Sequence, residues 1–308
     1  MIEIVGQATK KFNKLFVAAQ KYTQALLATE SRKVCTNLGK AIGISHDAIQ
    51  RSLTVLANNP EMLRSQLQSN VLRAAQNTVG YLITDSTLLV KDSAKVMEGI
   101  SRQYSGNKTE PGISLTAVVW TNLHHVLPLD LFTWKKGDQS KIATATDMVI
   151  RLAQRVNAKA VLADAAFASI EALTMYQQAG VHCLMRFHAN RVIAVKGYDK
   201  SAQVKNHPAF KLRKNNRIIV QEVSWHDITV HVIAMKIKCR GAYRIIFLVT
   251  TLSAKEAYSL AKLYRHRWKI ETFFRTTKQR FGLAQCQARC LKKQEAHALL
   301  HQSDKFLL

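Results

Sequence analysis

The chain has 308 residues with 47% hydrophobic content, enough for a sizeable core in one large or two smaller domains, which excludes a disordered basic protein. Its 45 Lys and Arg stand against 20 acids, and the formal charge of +25 exceeds what solubility requires and points to a polyanionic partner. No stretch nears the roughly 18 apolar residues of a membrane span, the opening MIEIVGQATKKFNKLF lacks a signal-like core, and the scattered Cys35, Cys183, Cys239, Cys286 and Cys290 suit a reducing compartment, so a cytoplasmic protein with no membrane partner is expected.

Residues 1–78 are poor in Gly and Pro and read as an all-α domain. Within them, residues 38–53 have the makings of a helix-turn-helix: a short helix, a turn at Gly43, then Ser45 as N-cap of a second helix. Ile44, Ala48 and Ile49 would pack inside. His46, Asp47, Gln50 and Arg51 would then lie on the exposed face that enters a major groove, although an ordinary helical hairpin carries the same punctuation. Asn58-Asn59-Pro60 closes the unit, and residues 61–78 read as a linking helix.

From Val79 the pattern turns to strands. Residues 81–84 form a short β-favouring run ended by Asp85, and residues 113–121 and 123–132 complete an antiparallel meander. A helix over 147–156 follows, then a strand over 160–163 ended by Asp164, a helix over 170–178 stopped by Gly180, and a strand over 181–187. An aspartate at a strand end is commonly a turn former, so neither acid alone signals chemistry. Residues 191–196, 217–225, 228–238 and 243–250 are β-branched and alternating, and predict a β-sheet insert over 191–250 with a basic loop at 205–216.

Residues 260–282, LAKLYRHRWKIETFFRTTKQRFG, predict one unbroken helix. At about 100° per residue, Tyr264, Arg267, Glu271 and Lys278 fall within an arc of roughly 60°, beside an apolar arc of Leu263, Ile270, Phe273 and Phe274. Spacing alone fits a solvated face of ion pairs equally well. Cys286, Cys290, His297 and His301 have ligand-like spacing, but a linker of about six residues is short of the roughly twelve of a zinc finger, so no zinc site is expected.

The pattern Y-x2-R-x3-E-x6-K at Tyr264, Arg267, Glu271 and Lys278, behind LITDST at Asp85 and LADAAF at Asp164, resembles the DDE transposases of bacterial insertion sequences, in the branch named for that YREK signature. The resemblance spans roughly residues 79–300. It implies an α/β fold: a ribonuclease-H-like catalytic core (79–190 and 251–308) interrupted by the β-sheet insert (191–250) and preceded by the all-α helix-turn-helix-type domain (1–78). It also implies that Asp85, Asp164 and Glu271 are catalytic and hold two Mg²⁺ ions, with Mn²⁺ able to substitute and Asp85 bridging.

Arg267 and Lys278 would pair with flanking phosphates, and Tyr264 would bond a phosphate or pack on a sugar. Trp225, with His226, is the candidate in the insert for stacking on an unpaired base, the plainer expectation being a Trp packed beneath the insert. The implied activity is cut-and-paste transposition on double-stranded element ends and target DNA, by a homodimer in the synaptic complex. Residues 304–308 begin an apolar run where the family continues with further helix, the pattern of a truncated copy. The alternative is therefore a catalytically silent DNA-binding protein that inhibits transposition.

Overall fold

The structure, a computed structural model, describes residues 2–301 except 77, 93, 95, 106, 107, 214, 215 and 240, with side chains from residue 9 onward except Ser105. The apolar run 304–308 lies outside the described residues.

Helix formers with few breakers give α1 (Ile2–Ala28), α2 (Cys35–Ala41), α3 (His46–Ala57) and α4 (Pro60–Ala75). The punctuation between α2 and α3 is the expected one. Gly43 turns the chain at φ +71°, where an L side chain is strained, and the Ser45 hydroxyl caps α3 by accepting the Ala48 N–H at 3.2 Å. Ile49, Leu53 and Leu56 of α3 are buried, while His46, Asp47, Gln50 and Arg51 are exposed.

The sheet grows on either side of β1 (Gly80–Val90). On one side β2 (Ser101–Ser105), β3 (Lys108–Thr121) and β4 (Val126–Trp134) are antiparallel neighbours, with β3 against β1, and β2 is a short edge strand that the sequence pattern did not show. On the other side the chain passes through α5 (Lys141–Ala153) to β5 (Ala158–Ala163), parallel to β1, and through α6 (Ile170–Gln178) to β6 (Cys183–Phe187), parallel to β5. The order β4-β3-β1-β5-β6, antiparallel then parallel, makes a mixed α/β fold with helices on both faces.

Alternation along β1 sorts the core. Tyr81, Ile83 and Leu89 face a cluster that includes Leu53 and Leu56 of α3, whereas Leu82 faces Val149 and Leu152 of α5 and Leu173 of α6.

The remaining strands are β7 (Val192–Val195), β8 (Ala202–Gln203), β9 (Ile218–Trp225), β10 (Ile228–Cys239) and β11 (Ala242–Thr250). They do not form a sheet of their own. β11 pairs antiparallel with β6, Val249 opposite Met185, so the insert extends the core into one 11-stranded sheet.

Several expected boundaries move. β1 does not end at Asp85, because Ser86 to Val90 go on pairing with β3; what ends there is the parallel pairing with β5, last seen at Thr84 opposite Ala163. β4 begins at Val126 rather than Leu123, which sits in the preceding turn at φ +75°. α5 starts at Lys141, where the Ser140 hydroxyl accepts the Ala143 N–H at 3.5 Å.

The stretch expected as one helix over 260–282 is two pieces, a 3₁₀ segment (Ala261–Arg267) and α8 (Trp268–Gln279), and it follows directly on α7 (Ala254–Leu260). After Gly282, at φ +67°, the chain leads to α9 (Leu291–Leu300), which packs on α3 and β4. None of the helices among the described residues is long and apolar enough to cross a membrane.

Candidate active site

The site forms where β5 stops. Beyond Ala163 the β1 strand loses its parallel neighbour, so Asp85 on β1 and Asp164, the next residue after β5, border the same opening. Openings at the carboxyl ends of parallel strands are where open α/β sheets place ligands. Asp164 also caps a short 3₁₀ turn (Ala165–Phe167), its Oδ1 accepting the Ala165 N–H at 2.7 Å.

The 3₁₀ winding before α8 does not scatter the four signature residues. At three residues per turn Tyr264 eclipses Arg267, and four α-helical residues later Glu271 returns to nearly the same face. The apolar side of α8, with Ile270, Phe273 and Phe274 buried, holds the helix against the core.

The signature side chains reach Asp85 and the residue before Asp164. Arg267 donates from Nη1 to Asp85 Oδ2 at 2.9 Å and from Nη2 to Glu271 Oε1, bridging the two carboxylates. The Tyr264 hydroxyl donates at 3.0 Å to the carbonyl of Ala163, the residue before Asp164. Tyr264 is only 8% exposed, and as arranged it ties the 3₁₀ segment to β5 rather than facing the opening. Lys278 is held to β1, its Nζ 2.6 Å from Thr87 Oγ1 and 2.9 Å from the Leu88 carbonyl.

Burial pushes the Asp85 carboxyl up to about 6; Arg267 and the Ser86 N–H oppose the rise, and the charges of Asp164 and Glu271 add to it. Asp85 therefore feels both of the other acids across the opening. Carboxylate oxygens, with that of Asp85 desolvated, suit a hard divalent cation. Among the described residues no three His, Cys, Asp or Glu side chains stand at metal-holding spacing as arranged, and between Asp85 and Glu271 the Arg267 guanidinium supplies the positive charge.

Other sequence candidates lie apart from this opening. Trp225 is 2% exposed, packed edge-on against Phe187 at 4.9 Å between ring centres, with the Arg191 guanidinium 5.3 Å from its ring. As arranged it is packed in the plainer way expected of it; His226, beside it, takes φ +51° in the β9–β10 turn. His297 and His301 are buried against each other with Nε2 atoms 3.0 Å apart, and the Tyr22 hydroxyl lies 3.0 Å from His297 Nδ1. On α3, His46 and Asp47 pair at 3.1 Å, leaving Gln50 and Arg51 as the outward polar pair.

Sequence reasoning missed Lys141, at the start of α5, which feels the charge of Asp85, and Arg186 on β6, which acts on Tyr264. Each sits on an element whose position relative to the site only the topology reveals.

A family model described as the transposase DDE domain matches residues 80–302, from the first residue of β1 through α9. The chain belongs to the transposase DDE domain family. A comparison with curated proteins finds no match. Among solved structures, the chain is similar to a piggyBac transposase synaptic complex with hairpin DNA, at 10% identity and TM-score 0.47 over 96% of this chain and 67% of that one. It is similar also to a pre-cleavage Mos1 transpososome, at 13% identity and TM-score 0.20 over 52% of this chain and 57% of that one. Both scores lie under 0.5, so membership rests on the family match, whose span contains both aspartates, the signature residues and the strands between them.

Proposed function

We propose that this member of the transposase DDE domain family is a DNA transposase of the YREK branch found in bacterial insertion sequences, with Asp85, Asp164 and Glu271 as its catalytic carboxylates. The observation that carries the proposal is the convergence of the signature on the two aspartates: Arg267 bonds Asp85 and Glu271, and Tyr264 bonds the residue that precedes Asp164. A solvated ion-pair face would not tie two separate strands together in this way.

In this reading the core is ribonuclease-H-like, and the three carboxylates hold two divalent ions, Mg²⁺ or Mn²⁺. When bound, such ions activate water and stabilise charge on the attacking and leaving oxygens of a phosphodiester. The chain's own residues do the positioning. Arg267 holds Asp85 and Glu271 together, Lys278 anchors α8 to β1, and Tyr264 fixes the end of β5. Arg267, freed from the carboxylates once they face a cation, can turn to a phosphate in bidentate fashion. The charge of +25 suits double-stranded element ends and target DNA, with the exposed face of α3 reading the ends and a homodimer joining two of them in the cytoplasm.

The test uses duplex DNA from the boundary of the element, read from the inverted repeats flanking the gene. Asp85→Ala, Asp164→Ala and Glu271→Ala should each abolish Mg²⁺- or Mn²⁺-dependent nicking, by at least about a hundredfold, and leave end binding intact. Near-normal nicking by any one of them would remove that residue from the assignment. Binding without nicking in the wild type would instead favour a silent DNA-binding protein that inhibits transposition.

A further inference from the structure

The site's two signature cations are already engaged, Arg267 by two carboxylates and Lys278 by a hydroxyl and a carbonyl. Lys141 is different. β4 and β1 are both antiparallel to β3 and so run in the same direction, which brings the end of β4, and the start of α5 just after it, to the same end of the sheet as Asp164. Trp134, Ser114 and Leu88 stand in one row across β4, β3 and β1, three residues beyond Asp85.

Lys141 Nζ lies 3.5 Å from the Ser114 hydroxyl, the one hydrogen bond the side chain makes among the described residues. No carboxylate stands within 4.0 Å of it there. Burial lowers its affinity for the proton, and the charge of Asp85 raises it. Ser114 is on the α5 side of the sheet, together with Ser86 and Thr116, whose hydroxyls are 2.7 Å apart. Arg267 approaches from the α8 side. A half-buried ammonium with one long bond to a hydroxyl is an incomplete site, and an anion would complete it.

The geometry points to Lys141 as a binding residue for a phosphodiester of the DNA strand lying beside Asp85, on the side of β1 opposite Arg267. The inference rests on the proposed DNA reading and adds a contact that lies outside the YREK signature. Lys141 and Arg267 would then flank the strand, each neutralising a different phosphate.

The experiment measures equilibrium binding of the boundary duplex against salt, without divalent metal, for wild type, Lys141→Ala and Lys141→Arg. Lys141→Ala should lower the slope of log K against log salt by about 0.9, the counterion share of one phosphate, and weaken binding roughly tenfold at fixed salt, as loss of one charged hydrogen bond would. Lys141→Arg should keep the wild-type slope, since the charge persists. If the alanine variant does not fold, Lys141→Met keeps the aliphatic stem and carries the same expectation. An unchanged slope in the neutral variant overturns the assignment, as does an arginine variant as deficient as alanine. Wild-type binding with no salt dependence would bring down the DNA reading as a whole, and Lys141 with it.

Discussion

Asp85→Asn should make the metal-free protein more stable at neutral pH while removing its nicking activity. The side chain is 17% exposed and its carboxyl is pushed up to about 6, mainly by burial. Against an unfolded value of about 3.9, a two-unit rise amounts to at most about 3 kcal/mol at 1.36 kcal/mol per unit. The sign follows from the direction of the shift: a raised folded pKa gives stability that is fully present below about pH 4 and lost as pH rises through about 6. Asparagine resembles the protonated acid and loses nothing over that range. The stability of Asp85→Asn minus that of wild type should therefore grow between about pH 4 and pH 6 and stay level above. Asp130, also pushed up to about 6 by burial, is present in both proteins and cancels. The assay is urea unfolding at equilibrium at about pH 4.5 and pH 8, without divalent metal, repeated with Mn²⁺, which should stabilise wild type alone. A difference independent of pH, or one that favours wild type at the higher pH, would refute the idea that this carboxylate is held at a cost for a cation.

Trp225→Ala should destabilise the fold by about 3–5 kcal/mol, as truncation of a buried aromatic does, with little effect on DNA affinity below the new melting temperature; the reverse pattern would return Trp225 to the DNA interface. Tyr264→Phe deletes the bond to the Ala163 carbonyl and should cost about 1–3 kcal/mol of stability without changing the salt dependence of DNA binding; a lowered salt slope would mean that the hydroxyl meets a phosphate after all. Gln50→Ala with Arg51→Ala should lose preference for element-end over scrambled duplex, by about 1–3 kcal/mol for each base contact removed, and keep non-specific affinity; an unchanged ratio at one fixed salt concentration would make α3 a packing helix only.

Much of the site could be read in the sequence because its information is local. The spacing of Tyr264, Arg267, Glu271 and Lys278 survives a change from α to 3₁₀ winding, since three residues per turn before Arg267 and 3.6 after it bring all four to one face. The run of apolar residues before Asp164 marks a strand end because nothing follows it but a turn. Asp85 misled as a strand end because the two residues after it, Ser86 and Thr87, are polar yet keep pairing with β3. Period-two patterns report which face is buried; they do not report which neighbour is lost. For the same reason the insert looked like a separate sheet: alternation shows that β11 is a strand and is silent about its partner, β6. Trp225 and Lys141 depend on long-range neighbours, Phe187 for one and Ser114 for the other, and no local pattern carries them.

The same long-range packing bears on how end reading and cleavage are coupled. Composition places a boundary near residue 78, yet Leu53 and Leu56 of α3 share one apolar cluster with Leu299 and Leu300 of α9 and with Phe273 and Phe274 of α8. Polar bonds reinforce this contact. Arg64 of α4 donates to Asp130 of β4 at 3.1 Å and to Glu295 of α9 at 2.6 Å, and Lys91, just after β1, donates to the carbonyls of Ala284 and Cys286, at 2.8 and 2.6 Å, in the segment joining α8 to α9. Unpairing such buried groups costs far more than bending a flexible linker would. The face carrying Gln50 and Arg51 and the helix carrying Glu271 therefore belong to one packed body. Under the proposed function, the distance between the sequence read by α3 and the phosphate cut beside Glu271 would then be a property of the core.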